Sequence, residues 1–287
     1  MIFIDYAKAS DSIKHSSVIS AMRKQGVESK YIRIVIEMYK NLKARVKTDK
    51  VGTSFSIKRG VKQGDPLSSL LFNCVLEDIF RDMDWNKKGI NMNGEYLNNL
   101  RYADDVVLFS DSRQEIEEMV CELEEKSKLR GMSMNIDKTA VMSSNKEDIQ
   151  ITIDEKKIER VEEIVYLGQN ISMRNRTAEE VERRIALTWA KFWSLKNVFK
   201  GRITVYNKTK ILNSCVLPTL KYGSQTWSLS KNDESKIKVT QNSMERSMMG
   251  IRLKDRLSMN TVRKKIKNRV NFLHEIKRQK WNCAGHI

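Results

Sequence analysis

The first apolar run, "MIFID", reads as a buried strand, and the apolar positions after it recur at helical spacing in "SSVISAMRKQ" and "ESKYIRIVIEMYKNL". "ARVKTDKVGTSFSIKRG" has period-two character around Gly52 and predicts a hairpin. In "QGDPLSSLLFNCVLEDIFRDM" Asp65 is placed to cap a helix that has Pro66 in its first position. Leu67, Leu70, Leu71, Val75 and Ile79 predict the apolar face of that helix. "INMNGEYLNNLRYADDVVLFS" predicts strand, turn, strand, and "SRQEIEEMVCELEEKSKLRG" predicts a helix ended by Gly131. Short strands are expected in "MSMNIDKTAVMS", "IQITID" and "VYLGQNIS", and from about Thr177 the pattern turns helical. This order does not alternate strand and helix as a parallel α/β chain would. It predicts an α+β fold, with an antiparallel sheet backed by helices over residues 1–172 and a helical region over 173–287.

At 287 residues and 40% hydrophobic content, the chain can bury a sizeable core in two domains. No apolar run approaches the ~18 residues of a membrane helix. The four cysteines lie far apart, which suits a reducing, intracellular compartment better than a disulfide framework. Net charge is +17, unevenly spread: residues 201–287 carry 19 Lys and Arg against 5 Asp and Glu, whereas residues 1–200 carry 34 against 31. A basic tail on a near-neutral body is the electrostatic footprint of a nucleic-acid binder. Within it "RKKIKNR" offers Arg263, Lys264, Lys265, Lys267 and Arg269 as phosphate contacts or as a nuclear-import signal, so a nuclear location is expected.

In "NLRYADDVVLFS" two adjacent acids, Asp104 and Asp105, interrupt an apolar strand. Neighbouring strand residues face opposite ways, and an unpaired buried carboxylate is costly, so a bend that displays both acids at a sheet edge is expected. Asp5 stands directly after the opening strand, where it could lie beside Asp104 on one antiparallel sheet. Such carboxylates can hold two Mg²⁺ ions about 4 Å apart, an arrangement that stabilises attacking and leaving oxygens in phosphoryl transfer.

Five segments in order, "FIDYAKASDSI", "RGVKQGDPLSSLLFN", "LRYADDVVLF", "GMSMNIDKTAVM" and "VYLGQNIS", resemble the palm of reverse transcriptases of LINE-type, non-LTR retrotransposons. The resemblance runs from residue 1 to about 172, and "KILNSCVLPTLKYGSQTWSLS" and "WNCAGHI" look like the thumb and C-terminal region that follows. It implies that Asp5 and Asp104 are the principal metal ligands and Asp105 the accessory acid. It further implies that Gln63 and Gly64 line the pocket for the incoming nucleotide and template base, and that Lys138 lies near the pyrophosphate leaving group. Tyr166, Leu167 and Gly168 would support the primer end. The implied cofactor is a pair of Mg²⁺ ions, with Mn²⁺ as a substitute; the implied partners are an RNA template, a DNA primer and deoxynucleoside triphosphates, with no membrane. Oligomeric state stays open.

The chain departs from the family pattern in two ways. Ser10 stands where an aromatic is usual beside the sugar of the incoming nucleotide, and its small side chain would leave room for a ribose 2′-hydroxyl; Ser69 stands where Pro is usual. The chain also begins only four residues before the first implied ligand, which reads as an N-terminally truncated palm without upstream fingers or endonuclease. The alternative expectation is an inactive retrotransposon-derived fragment that only binds nucleic acid. Cys283 and His286 have the spacing of half a zinc site but no second pair of ligands nearby, so a structural reading is favoured there.

Overall fold

In the computed structural model, which describes residues 1–144, 150–153, 156–173, 177–267 and 269–285, the opening apolar run forms strand β1 (Ile2–Ile4), buried throughout. Helices α1 (Ala9–Ser12), α2 (His15–Lys24) and α3 (Ser29–Tyr39) follow, then a hairpin of β2 (Lys43–Lys47) and β3 (Val51–Ser56). Helix α4 (Pro66–Arg81) starts where the cap predicted: the Asp65 carboxylate accepts the Leu67 amide at 2.9 Å, and Pro66 occupies the first turn, where an amide would be unpaired.

The segment expected to be one strand–turn–strand unit contains two hairpins. The first joins β4 (Ile90–Met92) to β5 (Glu95–Leu97), and the second joins β6 (Asn99–Tyr102) to β7 (Asp105–Leu108). Helix α5 (Arg113–Arg130) is capped by Ser112 and ends at Gly131, whose φ of 92° is readily accessible only to glycine. Short strands complete this part: β8 (Ala140–Val141), a β9 (Thr152–Ile153) and β10 (Lys156–Lys157) pair, β11 (Glu159–Arg160) and β12 (Glu163–Tyr166).

Five strands make one sheet in the order β11-β8-β1-β7-β6, with β1 at its centre. The pairs are antiparallel except at one edge, where β11 runs parallel to β8, a departure from the all-antiparallel expectation. Alternation along the strands gives the sheet two distinct faces. Ile2, Ile4, Val106 and Leu108 point into the core shared with the helices, alongside Val18, Val75, Ile79 and Leu123. Phe3 and Val107 occupy the opposite face, and the Phe3 ring meets Tyr166 at 5.5 Å. On α4 the expected apolar stripe is displaced: Leu70 is 65% exposed, while Phe72, Leu76 and Phe80 join Leu71, Val75 and Ile79 inside. Leu70 sits one residue before the contact face, where no described element covers it.

The chain divides into two compact units, Met1–Leu167 and Gly168–Ile287. After β13 (Gln169–Ser172) the second unit is helical: α6 (Thr177–Ser194), α7 (Lys196–Lys200), α8 (Val205–Ile211), α9 (Leu217–Lys221), α10 (Lys231–Met248), α11 (Met259–Lys264) and α12 (Phe272–Ala284). Between α8 and α9 runs a π-helical turn, Leu212–Val216, just before Pro218, which has no amide to donate. Ser230 and Asp233 form a reciprocal capping box on α10. Val181, Phe192, Leu220, Ile237, Met244 and Phe272 are among the residues of this unit's own core.

Candidate active site

The β6–β7 hairpin closes with two loop residues. Tyr102 pairs with Asp105, leaving Ala103 (φ 53°) and Asp104 to make the turn. A left-handed non-glycine residue costs about 1 kcal/mol or more and persists only where its surroundings hold it. Across the sheet β1 pairs Ile2 with Leu108, Phe3 with Val107 and Ile4 with Val106; one further step sets Asp5 opposite Asp105. Both then lie on the face of Phe3 and Val107, away from the helical core, with Asp104 adjacent in the exposed turn.

The electrostatics record this convergence. The Asp105 carboxyl is pushed above its ordinary range by partial burial, then by the negative charges of Asp104 and Asp5. One cation stands close by: Lys138 Nζ lies 3.9 Å from Asp5 Oδ2 on a side chain that is 69% exposed. The "NIDKT" turn that carries Lys138 is fastened to both sides of Asp5. The Asn135 amide donates to the Asp5 carbonyl at 2.7 Å, and the Asp5 amide donates to Thr139 Oγ1 at 3.4 Å. Among the described residues no three acids, cysteines or histidines form a ready-made metal cage. Mg²⁺ does not require one, because it takes one or two carboxylates and draws its remaining ligands from water and phosphate. Clustered hard oxygens, compensated among the described residues by Lys138, fit such an ion.

A cavity of about 250 Å³ opens beside the turn, and Ser10, Gln63, Gly64, Ser69 and Asp104 are among its lining. Its walls are tied together by main-chain bonds: the Val61 amide donates to the Ser10 carbonyl at 2.7 Å, and the Gly60 amide to the Ile13 carbonyl at 2.8 Å. Gln63 Nε2 donates to Asp11 Oδ1 at 3.0 Å. Gly64 has φ 83° and open space where a Cβ would stand, so its glycine character answers to backbone conformation and not to crowding. Asp5, Asp105 and Lys138 are outside this lining, so the acids border the cavity through Asp104 alone.

Tyr166 lies behind the acids. Its hydroxyl donates to the Asp105 carbonyl at 3.4 Å, and burial followed by the Asp105 charge raises its phenol pKa. Leu167 (φ 47°) and Gly168 (φ 73°) both take left-handed conformations where the two units divide. Within the second unit the Gly168 carbonyl accepts from Arg183, at 2.6 Å, and from Arg184.

The basic run of the second unit splits by orientation. Lys264, Lys265 and Lys267 are exposed. Arg269 instead donates to the buried Glu245 at 2.7 Å, and Arg263 donates to Asn242 at 2.9 Å. All five were expected as phosphate contacts; the two arginines instead serve the fold. Cys283 is exposed, and His286 lies outside the described residues. The Glu180 cluster that holds Gly168 was not foreseen, although "TAEEVERR" places Glu180 three and four residues before Arg183 and Arg184, a readable helical pairing.

A family model described as reverse transcriptase (RNA-dependent DNA polymerase) matches residues 1–171. A putative uncharacterized transposon-derived protein of Caenorhabditis elegans is 29% identical over 209 residues, 69% of this chain and 74% of its own length. A retrovirus-related Pol polyprotein from a type-1 retrotransposable element R2 of Nasonia vitripennis is 34% identical over 132 residues; the match covers 46% of this chain but 13% of that polyprotein. A solved apo telomerase from Candida tropicalis aligns over 97% of this chain and 46% of its own at 13% identity, with a TM-score of 0.48.

Proposed function

This chain belongs to the reverse transcriptase (RNA-dependent DNA polymerase) family, and from that membership we propose that its first unit extends a DNA primer along an RNA template, as part of a non-LTR retrotransposon polymerase. One observation carries the reading: the strand register sets Asp5 opposite Asp105, next to Asp104 in a turn that borders a cavity lined by Ser10, Gln63 and Gly64.

Asp5, Asp104 and Asp105 would hold the divalent cations, Mg²⁺ or Mn²⁺. Bound there, such ions supply charge neutralisation for the attacking 3′-oxygen and the departing phosphate. The chain's own residues do the rest by positioning. Gln63, anchored to Asp11, and Gly64 shape the space for the incoming deoxynucleoside triphosphate and the template base. Ser10 sets the room left around the sugar. Lys138, tethered through Asn135 and Thr139, swings on an exposed side chain and offers a positive charge or a proton to the leaving pyrophosphate. Tyr166 steadies the Asp105 backbone, and the Leu167–Gly168 turn supports the primer end. Lys264, Lys265 and Lys267 add non-specific phosphate contacts. Among the described residues no helix is long and apolar enough to cross a membrane; an intracellular, nuclear location follows from the proposed substrate and the basic run.

The test is extension of a DNA primer annealed to RNA, titrated with Mg²⁺, by the wild-type chain and by Asp104→Ala. Metal-dependent extension that Asp104→Ala abolishes, with RNA affinity kept, is the expected result. Extension that survives Asp104→Ala, or no extension by wild type at any Mg²⁺ or Mn²⁺ concentration, overturns the proposal.

A further inference from the structure

The near-neutral average of the first 200 residues hides a local excess of positive charge on the β2–β3 hairpin and the segment after it. Residues 43–62 carry seven lysines and arginines against one acid, Asp49. All seven basic side chains are exposed, and among the described residues none forms an ion pair. The neighbouring cations Lys40 and Arg81, in contrast, are each paired with a glutamate. Clustered like charges repel, and among the described residues Asp49 is the one acid of this segment and no ion pair offsets the seven cations.

The strand register sorts these charges. Lys43 pairs with Ser56 and Arg45 with Ser54, while Ala44 pairs with Phe55, so one face of the hairpin is basic and hydroxylic and the other apolar. Lys47 continues β2 past a register shift. Alternate strand residues are about 6.6 Å apart, a step that successive phosphates of an extended strand can follow. At the foot of the hairpin lies a cavity of about 720 Å³ walled by Met38, Tyr39, Leu42, Ile57 and Leu67, with Arg59 and Lys62 also on its lining. Lys62 and Gln63 are shared between this cavity and the smaller one that Asp104 borders. Lys43 also lines the larger cavity, so the basic face adjoins it, and the shared residues connect it to the candidate active site.

We propose that the β2–β3 hairpin is a docking surface for single-stranded RNA, the uncopied template approaching the nucleotide cavity. Lys43, Arg45 and Lys47 carry its phosphates, and the apolar cavity takes an unstacked base. A cationic track beside an apolar or aromatic recess is what a single strand can use, because its bases are free to leave the stack, whereas those of a duplex are not. The choice of RNA template as occupant rests on the polymerase reading above.

The experiment measures binding of a fluorescent single-stranded RNA 20-mer by anisotropy across a salt series, without nucleotides or divalent metal. It compares the wild-type chain, Asp104→Ala and the triple variant Lys43→Gln, Arg45→Gln, Lys47→Gln. These three side chains are exposed and unpaired, so the triple variant should unfold at the wild-type temperature. Single strands lose about 0.7 in log–log salt slope per phosphate contact, so removing three contacts should lower the slope by about 2 and weaken binding on the order of 100-fold at 0.1 M salt. Asp104→Ala should bind as wild type, and photo-crosslinks from 4-thiouridine RNA should map between residues 38 and 67. Wild-type slope and affinity in the folded triple variant, crosslinks confined to other residues, or duplex DNA bound as tightly as single-stranded RNA would each overturn the proposal. The two readings fail separately. A chain that binds RNA through the hairpin yet never extends a primer refutes polymerisation alone; a chain that extends while the triple variant binds normally refutes the hairpin alone.

Discussion

Replacing Glu180 by Gln should destabilise the second unit by about 3 kcal/mol at neutral pH. The Glu180 carboxylate accepts four hydrogen bonds: from Arg184 Nε at 2.7 Å, from Arg183 Nε at 2.7 Å and Nη2 at 2.8 Å, and from the Asn170 amide at 3.2 Å. Arg184 is 7% exposed, with its guanidinium stacked on the Tyr222 ring at 4.6 Å. Glutamine keeps one acceptor but turns an amide N–H₂ toward guanidinium donors and leaves the Arg184 charge buried without a counter-ion. Breaking a buried pair from one side costs about 3–5 kcal/mol. The lower end applies because Arg183, at 29% exposure, can recover hydration.

The pH dependence gives an independent check of the same cluster. Burial alone would raise the Glu180 pKa, but hydrogen bonds from Arg183, Arg184 and the Asn170 amide outweigh it, and the carboxyl sits below its ordinary range. A folded-state pKa below the unfolded value of about 4.3 means that the stabilisation is complete above that value and is lost as pH falls through the folded pKa. The gap between wild type and Glu180→Gln should therefore be constant from pH 7 to 5 and shrink below about 4. Urea unfolding followed by tryptophan fluorescence suits the measurement, since Trp189, Trp193, Trp227 and Trp281, four of the five tryptophans, belong to the second unit. A loss below about 0.5 kcal/mol, or a gap unchanged down to pH 3, would refute the assignment of this cluster as a buried ionic clamp. Because the same arginines bind the Gly168 carbonyl, primer affinity should also fall, seen as a raised KM for primer–template with a smaller change in kcat.

Two further substitutions probe the nucleotide cavity. Ser10→Phe places a ring into about 250 Å³ and should raise the ratio of deoxy- to ribonucleotide incorporation by about tenfold or more, as competition assays would record; an unchanged ratio removes Ser10 from the sugar's surroundings. Gly60→Ala puts a methyl 2.7 Å from the Asp11 carbonyl oxygen at φ 88°, so it should cost about 2 kcal/mol in urea unfolding and raise the KM for nucleotides by displacing α1 from Gln63.

Much of the first unit was legible because its signals are local. Asp65 and Pro66 announce the start of α4, Gly131 announces the end of α5, and the two acids mark a bend because a strand cannot bury adjacent carboxylates. What escaped depends on neighbours distant in sequence. Leu70 satisfies helical spacing yet faces no partner, and β11 lies parallel to β8 through contacts that periodicity does not encode. The run at 263–269 looked uniform because charge type does not reveal direction; Glu245 and Asn242, about 20 residues away, turn Arg269 and Arg263 inward. Charge averaged over 200 residues likewise concealed the hairpin's excess, which emerges only when strand register shows which side chains share a face.

The arrangement of β1 and β7 links folding and chemistry through parity. Since Ile2, Ile4, Val106 and Leu108 are held inward by the core, the odd-numbered positions Asp5 and Asp105 are turned outward with no device of their own. Inserting one residue between Ile4 and Asp5 would send the carboxylate to the underside of the sheet, whereas inserting two would restore its side but displace it by about 6.6 Å. Drift in the length of this strand should therefore silence such a chain abruptly, while exchanges among Ile, Val and Leu within it leave the acids in place.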